Sequence, residues 1–221
     1  MGLSRPAVIE LVGPAGVGKT TLSLRLQTSG HARRGTMWFV PRPALLRSAI
    51  RQIPTALTLY RQTGRFLWSE IKHLIRLDAL HTAVRTTHRN GTALIALDEG
   101  PVYTLSWLQV IGHRRFCDGP PLAFLQRTLE RWVPQLDAVI VLDAPDPIIT
   151  SRIREREKPH LVKDRSSAEI AAFLAAYRRA TERVLADLQA AGGPPVVRID
   201  CSDDTNRLTE RVLEAVSVHA H

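Results

Sequence analysis

The feature that most constrains this chain is the segment GPAGVGKT at residues 13–20, which fits the pattern GxxxxGK(S/T). An apolar run, AVIELV at residues 7–12, precedes the segment, and a helical pattern follows it. Glycines let the backbone curl so that successive N–H groups point to one place, and the start of a helix adds the positive end of its dipole there. Strand, loop and helix in this order predict a cradle for the phosphates of a nucleoside triphosphate.

Two side chains of this loop have a predicted role of their own. Lys19 reaches the terminal phosphates as a positive charge, and the Thr20 hydroxyl is a ligand for Mg²⁺. We therefore predict ATP and Mg²⁺ as the cofactors. The residues predicted to bind the nucleotide are Gly13, Ala15, Gly16, Val17, Gly18, Lys19, Thr20 and Thr21.

Strands and helices are predicted to alternate along the rest of the chain. Short apolar runs indicate five buried parallel strands, at residues 7–12, 36–40, 93–97, 138–142 and 196–199. The clearest helix follows Ser166, which forms a capping box with Glu169, and ends at Gly192. This alternation predicts an α/β fold in three layers, with helices on both faces of a parallel sheet. Since no repeat or linker interrupts the chain, we expect residues 1–221 to form a single domain.

The longest interval without a predicted strand is residues 41–92, where we predict one helix at 44–60 and another at 66–88. This is more helix than a crossover between two strands requires. Insertions of this kind often form the second half of a binding site. We therefore predict that the insertion binds the second substrate.

Composition narrows the possible partners. The net charge of +9 would suit nucleic acid, but aromatic residues are only 5% of the chain, which leaves few platforms for stacking bases. We expect no nucleic-acid partner. The basic charge leaves one alternative, in which the protein phosphorylates the ends of RNA or DNA. No apolar run reaches the roughly 20 residues of a membrane span, so we expect no membrane partner. The two cysteines show no metal-site spacing, which favours a cytoplasmic location without disulfides.

Four stretches resemble the nucleotide kinase branch of the P-loop proteins, especially thymidylate kinases and deoxynucleoside kinases. They are GPAGVGKTT (13–21), LDEGP (97–101), LDAPDPIITSRIRER (142–156) and VVRIDCSDDTNRLTERVLEAV (196–216). The resemblance implies a five-stranded parallel sheet in the order 2-3-1-4-5, a helical lid at residues 152–165 and a homodimer. It also implies that Arg152 and Arg156 of the lid contact the phosphoryl group during its transfer.

An acidic pair, Asp98 and Glu99, ends the third predicted strand. Asp98 is predicted to hold Mg²⁺ together with Thr20. Glu99 departs from the resemblance, because thymidylate kinases have Asp-Arg here and deoxynucleoside kinases have Glu-Arg-Ser. A carboxylate without that arginine suits an acceptor hydroxyl better than an acceptor phosphate.

Two mechanisms remain open for this pair. Asp98 or Glu99 could take a proton from an acceptor hydroxyl in a Mg-ATP-dependent kinase. Alternatively, Glu99 could activate water in a P-loop ATPase or GTPase that has a regulatory or assembly role through a partner protein. The lid arginines favour phosphoryl transfer to a small molecule. We therefore expect a small-molecule acceptor, either a nucleoside, a nucleotide or another hydroxyl compound.

Overall fold

The structure is a computed structural model and describes residues 6–87, 94–117, 123–157, 160–202 and 205–219. Its centre is a five-stranded sheet in the order β2-β3-β1-β4-β5, and every neighbouring pair of strands is parallel. The strands are β1 (Ala7–Val12), β2 (Arg33–Thr36), β3 (Leu94–Glu99), β4 (Ala138–Asp143) and β5 (Val196–Asp200). The α/β fold class and the strand order 2-3-1-4-5 are thus confirmed.

Helices follow each strand and cover both faces of the sheet. They are α1 (Lys19–Thr28), α2 (Arg42–Thr63), α3 (Trp68–Thr87), α4 (Pro101–Ile111), α5 (Arg114–Cys117), α6 (Ala123–Trp132), α7 (Asp146–Glu155), α8 (Ser167–Ala190) and α9 (Thr205–His219).

The central strand β1 shows why both faces of the sheet must be covered. Val8 and Val12 point into a core shared with α3, α4 and α6, whereas Ile9 and Leu11 point into a second core shared with α1, α7 and α9. Successive side chains of a strand lie on opposite faces, so an apolar run of this kind is stable only between two layers of helices. The run therefore places the end of β1, and the loop that follows it, at the centre of the molecule.

The second predicted strand is wrong in position. The strand is Arg33–Thr36 rather than residues 36–40, and residues 37–40 form the turn into α2. Within this apolar run Met37 is buried, but Trp38 and Phe39 are 43% and 83% exposed. A polar sequence can form β2 because it is the edge strand and pairs with β3 alone. The apolar run at residues 36–40 therefore predicted the wrong position for this strand.

The helix predictions are confirmed in type and adjusted in length. Helix α8 has the predicted capping box, with Glu169 N donating to Ser166 Oγ and Ser166 N donating to Glu169 Oε2. Helices α2 and α3 correspond to the two predicted helices of the insertion, and α2 continues through Pro54 to Thr63. Residue 88, the predicted end of the second of these helices, lies outside the described residues.

Candidate active site

A cavity of about 530 Å³ lies at the carboxyl edge of the sheet. In parallel α/β sheets this edge is where ligands bind. The cavity is lined by Ala15, Gly16, Val17, Gly18, Lys19, Thr20, Thr21, Asp98, Glu99, Tyr103, Trp107, Arg152, Arg156, His160, Tyr177, Cys201 and Leu208. The fold thus brings together every predicted site residue except Gly13, the first residue of the loop, which is not part of the lining.

The loop owes its shape to two of its glycines. Gly18 is the N-cap of α1 and has a φ of 101°, in the left-handed region where a side chain would be strained. Gly13 lies so close to the carbonyl oxygen of Leu142 that a Cβ atom there would clash with it. These constraints let the loop curl against β4 and direct the N-terminus of α1 into the cavity, as anion binding requires.

Lys19 is held inside the loop in this structure. Its Nζ donates hydrogen bonds to the carbonyl oxygens of Gly13 at 2.5 Å and Pro14 at 3.0 Å, and it lies 5.5 Å from the ring centre of Tyr103. Burial lowers the pKa of Lys19 to about 8, although the charges of Asp98 and Glu99 act in the opposite direction. An ammonium group with so little water around it gains strongly from a nearby phosphate.

Asp98 is almost fully buried and carries an ion pair that was not predicted. Its Oδ2 accepts hydrogen bonds from Arg34 Nη2 at 2.5 Å and Nε at 3.0 Å, and a longer one from Ser23 Oγ at 3.4 Å. Its Oδ1 is buried and has no hydrogen-bond partner among the described residues. An unsatisfied buried carboxylate oxygen is costly, and a cation would satisfy it.

The residues present fit Mg²⁺. Within the described ranges no group of three or more His, Cys, Asp or Glu side chains could hold a metal ion. Mg²⁺ does not need such a group, because it is usually held by one or two carboxylates together with water and substrate phosphates. Asp98 Oδ1 and the Thr20 hydroxyl provide ligands of this kind beside the phosphate loop.

Glu99 differs from Asp98 in its surroundings. Thr36 Oγ1 donates a hydrogen bond of 2.9 Å to Glu99 Oε2, and the half-buried carboxyl group lines the cavity. Burial raises the pKa of Glu99 and the charge of Asp98 raises it further, while the bond from Thr36 opposes this. The two carboxyl groups of the acidic pair therefore differ: Glu99 is half-buried with a raised pKa, whereas Asp98 is the charge-compensated partner of Arg34.

The two predicted lid arginines both line the cavity but have different neighbours. Arg152 Nη1 and Nη2 both donate to the carbonyl oxygen of Cys201, each at 3.3 Å, just after β5. Arg156 lies near the phosphate loop, where its charge lowers the pKa of both Lys19 and His160. The third arginine of this stretch, Arg154, is exposed and bonds Ser167 Oγ instead.

An aromatic wall forms one side of the cavity, and the sequence did not predict it as a unit. We use this name for Tyr103, Trp107 and His160. The rings of Tyr103 and Trp107 are stacked on α4 with centres 6.2 Å apart, and His160 of the predicted lid lies 6.3 Å from Trp107. Such a wall favours a flat ligand.

The predicted acceptor segment lies elsewhere. Among the residues that the structure describes, none from α2 or α3 lines this cavity. Thr36, just before α2, is the link to that region through its bond with Glu99. The prediction that residues 41–92 bind the acceptor therefore remains a prediction. No described helix is long and apolar enough to cross a membrane.

Sheet order, phosphate loop and neighbouring arginines together define the fold of the P-loop nucleotide kinases. Deoxyadenosine kinase from M. mycoides, with the products dCMP and dCDP bound, is similar with a TM-score of 0.55, 15% identity and coverage of 96% of this chain and 99% of its own. Thymidylate kinase from Candida albicans gives a TM-score of 0.57 and 13% identity, with coverage of 97% and 92%.

The similarity extends to kinases of other metabolites. Shikimate kinase from Bacteroides thetaiotaomicron gives a TM-score of 0.52 and 13% identity, with coverage of 96% of this chain and 98% of its own. No protein-family model matches the chain, and no curated protein matches it significantly in sequence. At these identities the likeness establishes the fold, so the resemblance to P-loop nucleotide kinases is confirmed at that level.

Proposed function

We propose that the protein is an ATP- and Mg²⁺-dependent phosphotransferase that moves the γ-phosphoryl group to a hydroxyl of a nucleoside or nucleotide. The observation that carries the proposal is the position of Glu99, a half-buried carboxyl group in the same cavity as Lys19 and Arg156. A proton acceptor and two cations around one cavity are what transfer to a hydroxyl group requires.

The donor binds along the phosphate loop. Loop N–H groups, Lys19 and Arg156 neutralise the phosphates. Thr20 and Asp98 hold Mg²⁺, which when bound supplies further positive charge beside the phosphates. Arg152 is held by the carbonyl oxygen of Cys201 in the lining of the cavity, and its flat guanidinium group stacks on the nucleobase.

The acceptor binds on the side of Glu99. Its hydroxyl donates a hydrogen bond to Glu99, which takes the proton as the oxygen attacks the γ-phosphorus. The bond from the γ-phosphorus to the bridging oxygen breaks, and ADP leaves. The raised pKa of Glu99 makes it a stronger base than an exposed carboxylate. Arg34, whose charge acts on Glu99, already donates its hydrogen bonds to Asp98, so it does not offer them to an acceptor phosphate at this position. The charges therefore favour a nucleoside over a nucleotide.

A P-loop ATPase that acts through a partner protein is the second candidate, because Glu99 could equally orient a water molecule. ADP release from Mg-ATP, with and without pools of nucleosides, nucleoside monophosphates and small alcohols, separates the two functions. We expect one pool to raise the rate by roughly tenfold or more, and Glu99→Gln to lower that rate on the order of 10²-fold. A rate indifferent to every pool would contradict the proposal. Lys19→Ala serves as the blank.

We also propose that the protein is a homodimer, formed through the exposed face of α2. The stripe consists of Leu46, Ile50, Ile53, Leu57 and Tyr60, which are 66%, 60%, 50%, 50% and 51% exposed. Their alternating spacing of four and three residues is the pattern by which helices pair. Large apolar side chains in such a continuous row mark an interface rather than a free surface.

Light scattering over a range of protein concentrations tests the dimer. We expect a dimer that Ile53→Asp converts to a monomer, because a charge at the centre of the stripe would be buried without a partner. Leu24→Asp is the control, since Leu24 is 43% exposed and lies on α1. A monomeric wild type would refute the dimer.

We further propose a cytoplasmic location, supported by the low cysteine content.

A further inference from the structure

Glu10 is a carboxyl side chain in the middle of the central strand. It is fully buried, and its neighbours in the sheet are Leu97 of β3 and Val139 of β4. A carboxyl group in such a place destabilises a fold unless hydrogen bonds compensate its loss of water. The partners of Glu10 therefore indicate what its position is for.

Those partners are the first free N–H groups of helix α4. Val102 N donates to Glu10 Oε2 at 3.0 Å, and Tyr103 N donates to Glu10 Oε1 at 2.8 Å. N–H groups in the first turn of a helix have no partner within that helix. The residue at the N-cap position, Gly100, has no side chain to provide one. Glu10 thus caps α4 from the neighbouring strand.

The fit between Glu10 and Gly100 is tight. A Cβ atom at Gly100 would lie 2.6 Å from Glu10 Cδ and 2.9 Å from both carboxyl oxygens. Gly100 has a φ of −94° and a ψ of −157°, which alanine also adopts readily. Glycine is therefore required here because the Glu10 carboxyl group occupies the space of a side chain, and backbone strain plays no part.

The two ends of this contact belong to the two sides of the proposed reaction. Glu10 lies three residues before Gly13, on the strand that leads into the phosphate loop. Gly100 directly follows Glu99, and Tyr103 lies under Lys19 in the first turn of α4. One side chain therefore connects the donor loop to the proposed proton acceptor.

We propose that Glu10 is a positioning residue that holds Glu99 and the first turn of α4 in register with the phosphate loop. The proposal rests on the proposed transfer activity. Glu10 contacts neither the proposed donor nor the acceptor, because it is buried behind the cavity. Its role is the placement of Glu99. A misplacement of about 1 Å in such a site can lower the rate on the order of 10²-fold.

Two variants of Glu10 test this role by steady-state kinetics. Glu10→Ala leaves the N–H groups of Val102 and Tyr103 without their acceptor, so we expect kcat to fall on the order of 10²-fold. Glu10→Gln keeps the shape but has one acceptor oxygen, and we expect a smaller fall of about tenfold. The affinity for a non-hydrolysable ATP analogue should stay within about threefold of wild type in both, because the loop itself is unchanged.

The sharpest test uses Gly100→Ala. In the wild-type background the new methyl group meets Glu10, so we expect kcat to fall. In the Glu10→Ala background that space is free, and Gly100→Ala should lower kcat no further. Equal effects of Gly100→Ala in both backgrounds would overturn the proposal.

Two controls separate this role from general destabilisation and from failure of the proposed function. Leu188→Ala, near the end of α8 beside Gly193, removes buried apolar volume away from the cavity and should leave kcat unchanged at a comparable loss of stability. An equal fall in kcat for this control would overturn the role of Glu10.

If the wild type phosphorylates no acceptor, amide hydrogen exchange still tests the contact. Faster exchange at Val102 and Tyr103 in Glu10→Ala supports it, and unchanged exchange overturns it.

Discussion

Replacing Arg34 by glutamine should destabilise the fold strongly, because Arg34 compensates the buried charge of Asp98. The Asp98 side chain is 1% exposed and the Arg34 side chain 20%, and the shorter of their two bonds is 2.5 Å. Removing one partner of a buried ion pair leaves the other charge without compensation, at a cost of about 3–5 kcal/mol. Since Arg34 keeps some contact with water, we expect the lower end, about 3 kcal/mol.

A second ion pair in the same protein provides a matched control. Arg198 donates two hydrogen bonds to Glu182, at 2.8 and 2.7 Å, but both side chains are more than half exposed. Pairs of this kind contribute about 0–1 kcal/mol, because water replaces the lost partner. Arg198→Gln should therefore have little effect, although its pair has equally good geometry.

The assay is urea unfolding of the wild type, Arg34→Gln, Arg198→Gln and the double variant Arg34→Gln/Asp98→Asn. The double variant should recover most of the lost stability, because an amide at position 98 leaves no buried charge. Equal free energies of unfolding for the two single variants would refute the reasoning. So would a double variant no more stable than Arg34→Gln.

Three further predictions concern pH, the loop and the lid. Burial raises the pKa of Glu10 to about 8, so the folded protein favours the protonated form of this side chain. This contribution to the free energy of unfolding is complete below pH 4.5 and is lost as the pH rises through 8. The loss amounts to roughly 5 kcal/mol, and urea unfolding from pH 4.5 to 9 should show it for wild type but not for Glu10→Gln. Tyr177, which faces Glu10, has a pKa raised by burial and stays neutral in this range. Gly13→Ala should abolish ATP binding in calorimetry, because its methyl group would displace the loop from β4. Arg156→Ala should lower kcat on the order of 10³-fold with little change in the affinity for ATP. Arg152→Ala should instead mainly weaken ATP binding. The reverse pattern would contradict the roles proposed for these two arginines.

The sequence sufficed for the fold wherever a local pattern carried the information. The loop at 13–20 determined β1, the turn and the start of α1 together, because its glycines permit few other geometries. The capping box at Ser166 located the start of α8. The edge strand β2 was misplaced because its polar residues follow no apolar pattern, and its position depends on pairing with β3.

In the candidate site, the sequence identified the residue types and the tertiary structure decided their roles. Asp98 and Glu99 are adjacent in sequence and equivalent in charge, so no local pattern distinguishes them. They differ because Arg34 and Thr36, both on β2, reach Asp98 and Glu99 respectively. The register of β2 against β3 shifts between Gly35 and Thr36, so that Thr36 pairs with Glu99 rather than with Asp98. Such an irregularity in strand pairing redirects side chains and depends on the partner strand, so no local pattern shows it.

The sequence alone was enough to select the loop residues, the acidic pair, Arg152 and Arg156, which line one cavity, since each motif is defined by residues close together in the chain. The cap that Glu10 provides to α4 was decided only by the tertiary structure. It joins residues more than 90 positions apart, 92 for Val102 and 93 for Tyr103. In the sequence Glu10 is only an interruption of an apolar run. Its meaning depends on the parallel pairing of β1 with β3, which brings the start of α4 against the centre of the sheet.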